Sequence, residues 1–305
     1  MYSYAIKRIL QMIPTLLGVL ILVFALIHSV PGDPARMVAG IEASDEDVET
    51  IREQLGLNDS LPKQFYTYVT GLLKGDLGTS IKTNRPVTEE IFSRFPTTIT
   101  LTVMAVILLT IIGLFAGVFS ATKPNSIWDN STMMVALFGV SMPVFWTGIL
   151  LILLFAYYIP ILPSGGSDSL KHFILPAISL ALTSAAILAR LTRSSLLEVI
   201  NEDYIRTARA KGVKENLVVY KHALKNALIT VITVIGLEAG NLLGGAVLTE
   251  TVFSINGIGR FLIQSIQFRD YPAVQGTILV VALIFITINL IVDLLYSVID
   301  PRIRP

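Results

Sequence analysis

Cysteine is absent from the 305 residues. That excludes disulfides, thiolate metal sites, iron–sulfur clusters and a cysteine nucleophile. The three histidines stand at positions 28, 172 and 222, too dispersed for a metal centre. Charge is also scarce, at 15% of the chain against roughly 25% in soluble proteins. Neither sign dominates. Lys+Arg 23 against Asp+Glu 22 gives a net charge of +1, so no bulk basic field exists for nucleic acid. No Gly-Lys-Ser/Thr occurs, and Lys211-Gly212 runs in the wrong order for a phosphate loop. Hydrophobic types fill the space at 53%. A soluble enzyme and a disordered chain are both poor fits. An integral membrane protein remains.

A helix needs about 20 apolar residues to cross the hydrocarbon layer. Six stretches qualify, near residues 9–30, 97–121, 133–158, 173–190, 227–248 and 276–299. None alternates with period two, so the spans are helical rather than strands of a barrel. Lys7-Arg8 before the first span imitates a secretory signal. The apolar run that follows exceeds the usual 7–15 residues and lacks a small-x-small cleavage site. A retained anchor is expected.

Lys and Arg in short loops set orientation. With the N-terminus inside, cytoplasmic segments hold thirteen of them and the two short external loops hold Lys171, Arg260 and Arg269. Both termini are therefore expected in the cytoplasm. Residues 31–96 then form an external segment. Ser44-Asp45-Glu46-Asp47 predicts a helix start, with its end near Gly56. Pro62 opens a second helix running to about Leu73 and stopped by Gly75. Val87–Phe95 reads as a short third helix. The segment is small for an independent core and should dock on the external ends of the spans. It fits a receiver of substrate or of a delivery protein, and equally a plain lid or spacer.

The cytoplasmic loop between the fourth and fifth spans, 194–225, is the most informative stretch. Asn201 or Asp203 is placed to cap a short helix with an acidic first turn. Arg209 and Lys211 close its last turn, complementing the helix dipole. Gly212 supplies a left-handed stop. Tyr204, Ala208 and Lys211 fall near one face. Small residues at Thr207, Ala208 and Ala210 would admit a close-packed protein. An ordinary amphipathic helix at the interface explains the same pattern.

Several polar residues lie within the spans. Gly236, Gly240 and Gly244 recur every four residues, one small face for helix packing or a gate hinge. Glu238, Asn241, Gly245 and Thr249 share another face. A carboxylate in hydrocarbon is costly and usually faces a cavity or a partner. Glu238 therefore reads either as lining a pathway, where it would meet a substrate amine or a metal, or as a structural hydrogen bond or ion pair. Pro143, after Ser141-Met142, can kink the third span.

At residues 202–212 the chain resembles a known family. Glu202-Asp203-Tyr204-Ile205-Arg206-Thr207-Ala208-Arg209-Ala210-Lys211-Gly212 is similar to the coupling loop of ABC importer permeases. More narrowly, it resembles the first permease subunit of dipeptide, oligopeptide, glutathione and nickel importers. The general pattern Glu-Ala-Ala-x-x-x-Gly is met by Arg206-Thr207-Ala208 before Gly212, without its acid. Val30-Pro31-Gly32-Asp33-Pro34-Ala35-Arg36, Phe253 to Arg260 and Asp300-Pro301-Arg302 carry the same resemblance. Asn256 stands where the branch has Pro, and Glu238 where Gln is common.

The resemblance implies an all-α, six-span type I ABC importer transmembrane domain over 1–305. It implies no ATPase site on this chain. ATP and Mg would sit on two separate ATPase subunits, beside a second, similar permease and an external substrate-binding protein. It implies alternating access in a bacterial or archaeal plasma membrane, with di- or oligopeptides first among cargoes. Glutathione and nickel complexes are the alternatives. Coupling would fall to Glu202, Asp203, Tyr204, Arg206, Thr207, Ala208, Arg209, Ala210, Lys211 and Gly212. Pathway candidates are Ser141, Met142, Glu238, Asn241 and Gly245. Other classes fit poorly. A rhomboid-like protease needs a second Gly after Gly139-Val140-Ser141 and a membrane His, and a channel needs repeated filter motifs or several buried charges.

Overall fold

The computed structural model describes residues 2–29, 33–40, 42–54 and 56–299. The Val30-Pro31-Gly32 and Asp300-Pro301-Arg302 matches lie outside them. Thirteen α-helices are found among the described residues, with no named strand. Helix α1 covers Tyr2–Ser29, α2 Pro34–Ala39, α3 Asp45–Gln54 and α4 Leu61–Leu73. α5 is Val87–Ala121, α6 Ile127–Ser141 and α7 Val144–Ile152, which runs on in a π-helical turn, Leu153–Tyr158. After a 3-10 turn come α8, Ile174–Ile200, and α9, Asp203–Ala210. The chain closes with α10, Glu215–Leu217, α11, Leu224–Val252, α12, Ile258–Gln267, and α13, Tyr271–Ile299. Four helical stretches are long and apolar enough to cross a membrane, and α6 with α7 form a fifth, bent one. In α1 the apolar stretch is Leu10–Leu26.

The core is organised around α8. Its apolar window is 67% buried, against 17–28% in the other three long stretches. Helices α5, α6, α7 and α11 all pack on it. Close approach follows from small residues. A Cβ on Gly113 would collide with Leu188, and one on Gly117 with Thr192 and the Ala189 carbonyl. These two glycines, four apart on α5, form the tight helix contact. The expected small face on α11 divides. Gly236 meets Val292 and Gly240 meets Phe285, both on α13, whereas Gly244 faces open space.

Two expectations change. Val87–Phe95 is not a separate helix but the first turns of α5, which runs unbroken through Pro96. The proline removes one donor, and Thr100 Oγ1 bonds to the Pro96 carbonyl at 2.8 Å. At 35 residues the helix is about 52 Å long, well beyond a bilayer core. The third span is broken rather than kinked, since α6 and α7 meet at 103°. Met142 is extended (φ −87°, ψ 127°), as the steric demand of a following proline requires.

The described residues of 33–86 are held by local caps and by contacts to the long helices. Ser44 and Asp47 cap α3 reciprocally, each backbone N–H at 3.2 Å from the other's side chain. Gly56 (φ +66°) follows its end, and Gly75 (φ +81°) follows α4. Helix α4 lies on α1 through Phe24 and Phe65, ring centres 5.2 Å apart. The turn after α4 is clamped by Asp270, whose carboxylate accepts Ser80 Oγ at 2.5 Å and the Ile81 N–H at 3.1 Å.

Candidate functional site

Helix α9 lies at the end of the bundle opposite residues 33–86, where the chain passes from α8 to α11. Its N-cap is Glu202, not Asn201 or Asp203 as the sequence suggests. Asn201 is occupied by α8, donating Nδ2–H to the Leu197 carbonyl at 2.9 Å. Asp203 starts the helix and pairs with Arg206 at 3.4 Å. At the other end Gly212 takes φ +76° and donates its N–H to the Arg209 carbonyl at 2.9 Å. The expected glycine stop is present.

One residue anchors α9. Ile205 is fully buried, in an apolar base of Val118 from α5, Leu196 from α8, Val218 and Ala223 from the π-helical turn before α11, and Ala227 from α11. Ala208 packs against the same base. The Tyr204 hydroxyl accepts Asn226 Nδ2–H at 2.6 Å. Arg209 is held by Glu215 through two bonds, 3.1 and 2.7 Å. That carboxylate raises the Arg209 pKa above its already high ordinary value. Asp203, Arg206, Thr207, Ala210 and Lys211 stay exposed. The helix therefore has its inner face bolted to the spans and its outer face free.

Beside α9 lies a cleft of about 670 Å³, lined by Lys123, Asn125, Arg193, Arg209, Glu215 and Tyr220 among others. Arg193 in its lining pairs with Asp129, a contact that sequence reading misses. Asp129 is 1% exposed. It accepts Arg193 Nε at 2.7 Å and Nη2 at 2.6 Å, the Asn125 N–H at 2.9 Å, and the Ser120 hydroxyl. This ties α5, α6 and α8 together where α9 docks. The available signal was Ser126-x-x-Asp129, a helix start whose N3 acid would otherwise be exposed.

The pathway candidates lie at the α6–α7 break and on α11, elements that pack on α8. At the break between α6 and α7, Ser141 and Pro143 are exposed and Met142 is half-buried. Thr183 Oγ1 donates to the Gly139 carbonyl at 3.3 Å, and Ser179 Oγ to the Val144 carbonyl at 2.8 Å. Ser184 Oγ donates to Glu238 Oε2 at 2.5 Å. Asn241 is exposed, and Gly245 rests near Leu180. Glu238, by contrast, is half-buried. A second glutamate of α11 was overlooked. Glu250 is fully buried and accepts Thr98 Oγ1 at 2.6 Å and the Arg260 N–H at 3.0 Å. The Ile258 N–H bonds to Thr98 in turn, at 2.9 Å. The bracket joins α5, α11 and α12. Gly257 admits it, because any Cβ there would strike the carboxylate. Among the described residues no three His, Asp or Glu side chains converge as a metal site.

Such a bundle is that of the transmembrane subunit of a type I ABC importer. Residues 113–305 match the family "binding-protein-dependent transport system inner membrane component". Residues 1–102 match its N-terminal companion family. The chain belongs to this family of multi-pass inner-membrane transport subunits.

A dipeptide transport system permease protein, DppB, of Alkalihalophilus pseudofirmus is 48% identical, with 100% of each chain covered. The glutathione transport system permease protein GsiC of Pectobacterium atrosepticum is 49% identical, over 100% of this chain and 99% of that one. GsiC of Escherichia coli K12 is 47% identical over the same shares. Among solved structures, an inward-facing MetNI methionine ABC transporter aligns with a TM-score of 0.57 at 21% identity, over 67% of this chain and 93% of that chain. An amino acid ABC transporter solved with histidines gives 0.53 at 18%, over 71% and 95%. Both share the fold.

Proposed function

We propose that this chain forms half of the translocation pathway of an ATP-driven importer for dipeptides and short peptides, glutathione among them. Full-length relatives named for dipeptide and glutathione transport support the cargo class. A second, similar permease completes the pathway. Two ATPase subunits with their ATP and Mg bind at the α9 end, and this chain carries no ATPase site. A substrate-binding protein delivers cargo at the end bearing residues 33–86. That end faces outward, both termini face the cytoplasm, and the six spans are α1, α5, the α6–α7 pair, α8, α11 and α13.

The observation that carries the mechanism is the two-faced mounting of α9. ATP-driven closure of the ATPase pair displaces the exposed face, presented by Glu202, Asp203, Tyr204, Arg206, Thr207, Arg209, Ala210, Lys211 and Gly212. Ile205 and Ala208, seated in the apolar base, pass that motion to α5, α8 and α11. The spans then rock between outward and inward openings. Ser141, Met142, Glu238, Asn241 and Gly245 line the route.

Ala208→Trp tests this. The ring cannot fit the half-buried Ala208 site, so α9 lifts from its base. Peptide uptake should fall to background while the chain still inserts in the membrane. Normal uptake in this variant sinks the assignment. Mass spectrometry of the complex pulled from native membranes should find one similar permease and the ATPases.

A further inference from the structure

We propose that Glu238 and the α6–α7 break form a mid-membrane station that holds the cationic amino end of the cargo peptide. The proposal rests on the importer reading above. Three observations carry it. Thr183 and Ser184 are consecutive on α8 and so differ in depth by about 1.5 Å. Thr183 bonds to the Gly139 carbonyl on the α6 side of the break, and Ser184 bonds to Glu238 on α11. The break and the carboxylate are therefore at one level of the membrane, on neighbouring sides of one helix. Helix α7 packs on α11 as well as on α8, which closes the third side.

The chemistry of that level is unlike the rest of the bundle. Non-helical backbone at membrane depth is tolerated only where protein covers it or water fills a cavity. Here Ser141 and Pro143 are exposed, and the importer reading above sets that opening on the cargo route. Glu238 is half-buried, and among the described residues it accepts a hydrogen bond from the neutral Ser184 and forms no ion pair with a basic side chain. Asn241, one turn on, is exposed beside it. A carboxylate with one oxygen held and no cation opposite it favours a charged donor. A peptide's free α-ammonium supplies that donor, and the exposed Asn241 amide suits its first peptide group. Broken helices at the midplane serve cargo in other transporter folds for the same reason.

The test uses the assembled transporter, with its ATPases and partner permease, in lipid nanodiscs and proteoliposomes. Saturation-transfer NMR without binding protein compares glycyl-leucine with N-acetyl-glycyl-leucine. The free amine should receive transfer from the wild-type complex, and the acetylated peptide little. Glu238→Gln should remove the difference, and Glu238→Asp should keep it. Uptake of glycyl-leucine delivered by the unchanged binding protein should fall about tenfold in Glu238→Gln, as loss of a charge-assisted bond implies. Equal transfer to both peptides in the wild type, no transfer at all, or unchanged uptake in Glu238→Gln overturns the station. A purely structural Glu238 would weaken both peptides alike, which also overturns it. Stimulation of wild-type ATP hydrolysis by loaded binding protein reads the importer assignment separately.

Discussion

Glu238 and Glu250 are the same residue type on one helix, about 18 Å apart along its axis, yet they sit in opposite environments. Glu250 is enclosed by a hydroxyl and a backbone N–H, and Glu238 is half-buried with one hydroxyl. Only the second was legible from sequence, because a carboxylate in mid-span announces itself. Glu250 falls just past the expected end of its span. Its worth depends on Thr98, 152 positions away, and on a missing Cβ at Gly257. Asp129 was hidden for a similar reason, since Arg193 is far in sequence and reaches it only when α6 and α8 pack. Removing one partner of such a buried pair strands the other. Asp129→Ala should cost about 2 kcal/mol, below the usual 3–5 because Arg193 remains partly hydrated. Thermal unfolding of the purified protein in detergent would report it. A midpoint unmoved by Asp129→Ala would show the pair to be dispensable.

At the scale of elements, periodicity and punctuation located most helices. Capping by Ser44 and Asp47, Pro62 inside the start of α4, and the left-handed Gly56, Gly75 and Gly212 are local effects, so local reading found them. Two of the misreadings concern proline. Pro96 sits within a helix because its lost donor is one bond among 35 residues of otherwise favourable packing. Pro143 breaks a helix because Thr183 and Ser179 of α8 take up carbonyls on both sides. Nothing near either proline in sequence separates the two outcomes. The α5–α8 contact is likewise tertiary. Gly117→Val would drive a branched side chain into Thr192 and should cost about 1–3 kcal/mol by overpacking. Gly18→Ala in α1, where a Cβ would meet nothing within 4 Å, should stabilise by about 0.5–1 kcal/mol, since alanine is the better helix former. The two melting temperatures, taken side by side, check the claim. Equal midpoints would refute it.

For the whole molecule, the proposed orientation follows from where Lys and Arg cluster. The lack of cysteine makes it directly testable. Glu46→Cys on α3 and Lys214→Cys beside α10 place single thiols on exposed positions at opposite ends. A membrane-impermeant maleimide should label the first in intact cells and the second only in inside-out vesicles. The reverse pattern would invert the assignment of both faces. The outward surfaces of α1, α5, α6 and α13 are apolar and exposed, as contact with lipid requires. Sequence patterning foretold that apolarity, but not which helix is central. The choice of α8 depends on small residues around its whole circumference, visible only when its neighbours are in place.

Helix α5 has one more consequence. It is bolted near one end, by Ser120 and Val118, to the mounting of α9, and near the other, by Thr98, to the Glu250 bracket and α12. The two attachments are joined by uninterrupted helix, which resists compression along its axis. Both mouths of the pathway then share a single degree of freedom. Opening both at once would require this rod to bend or one bolt to shear. A transporter built this way guards the membrane potential against leakage even while it is idle.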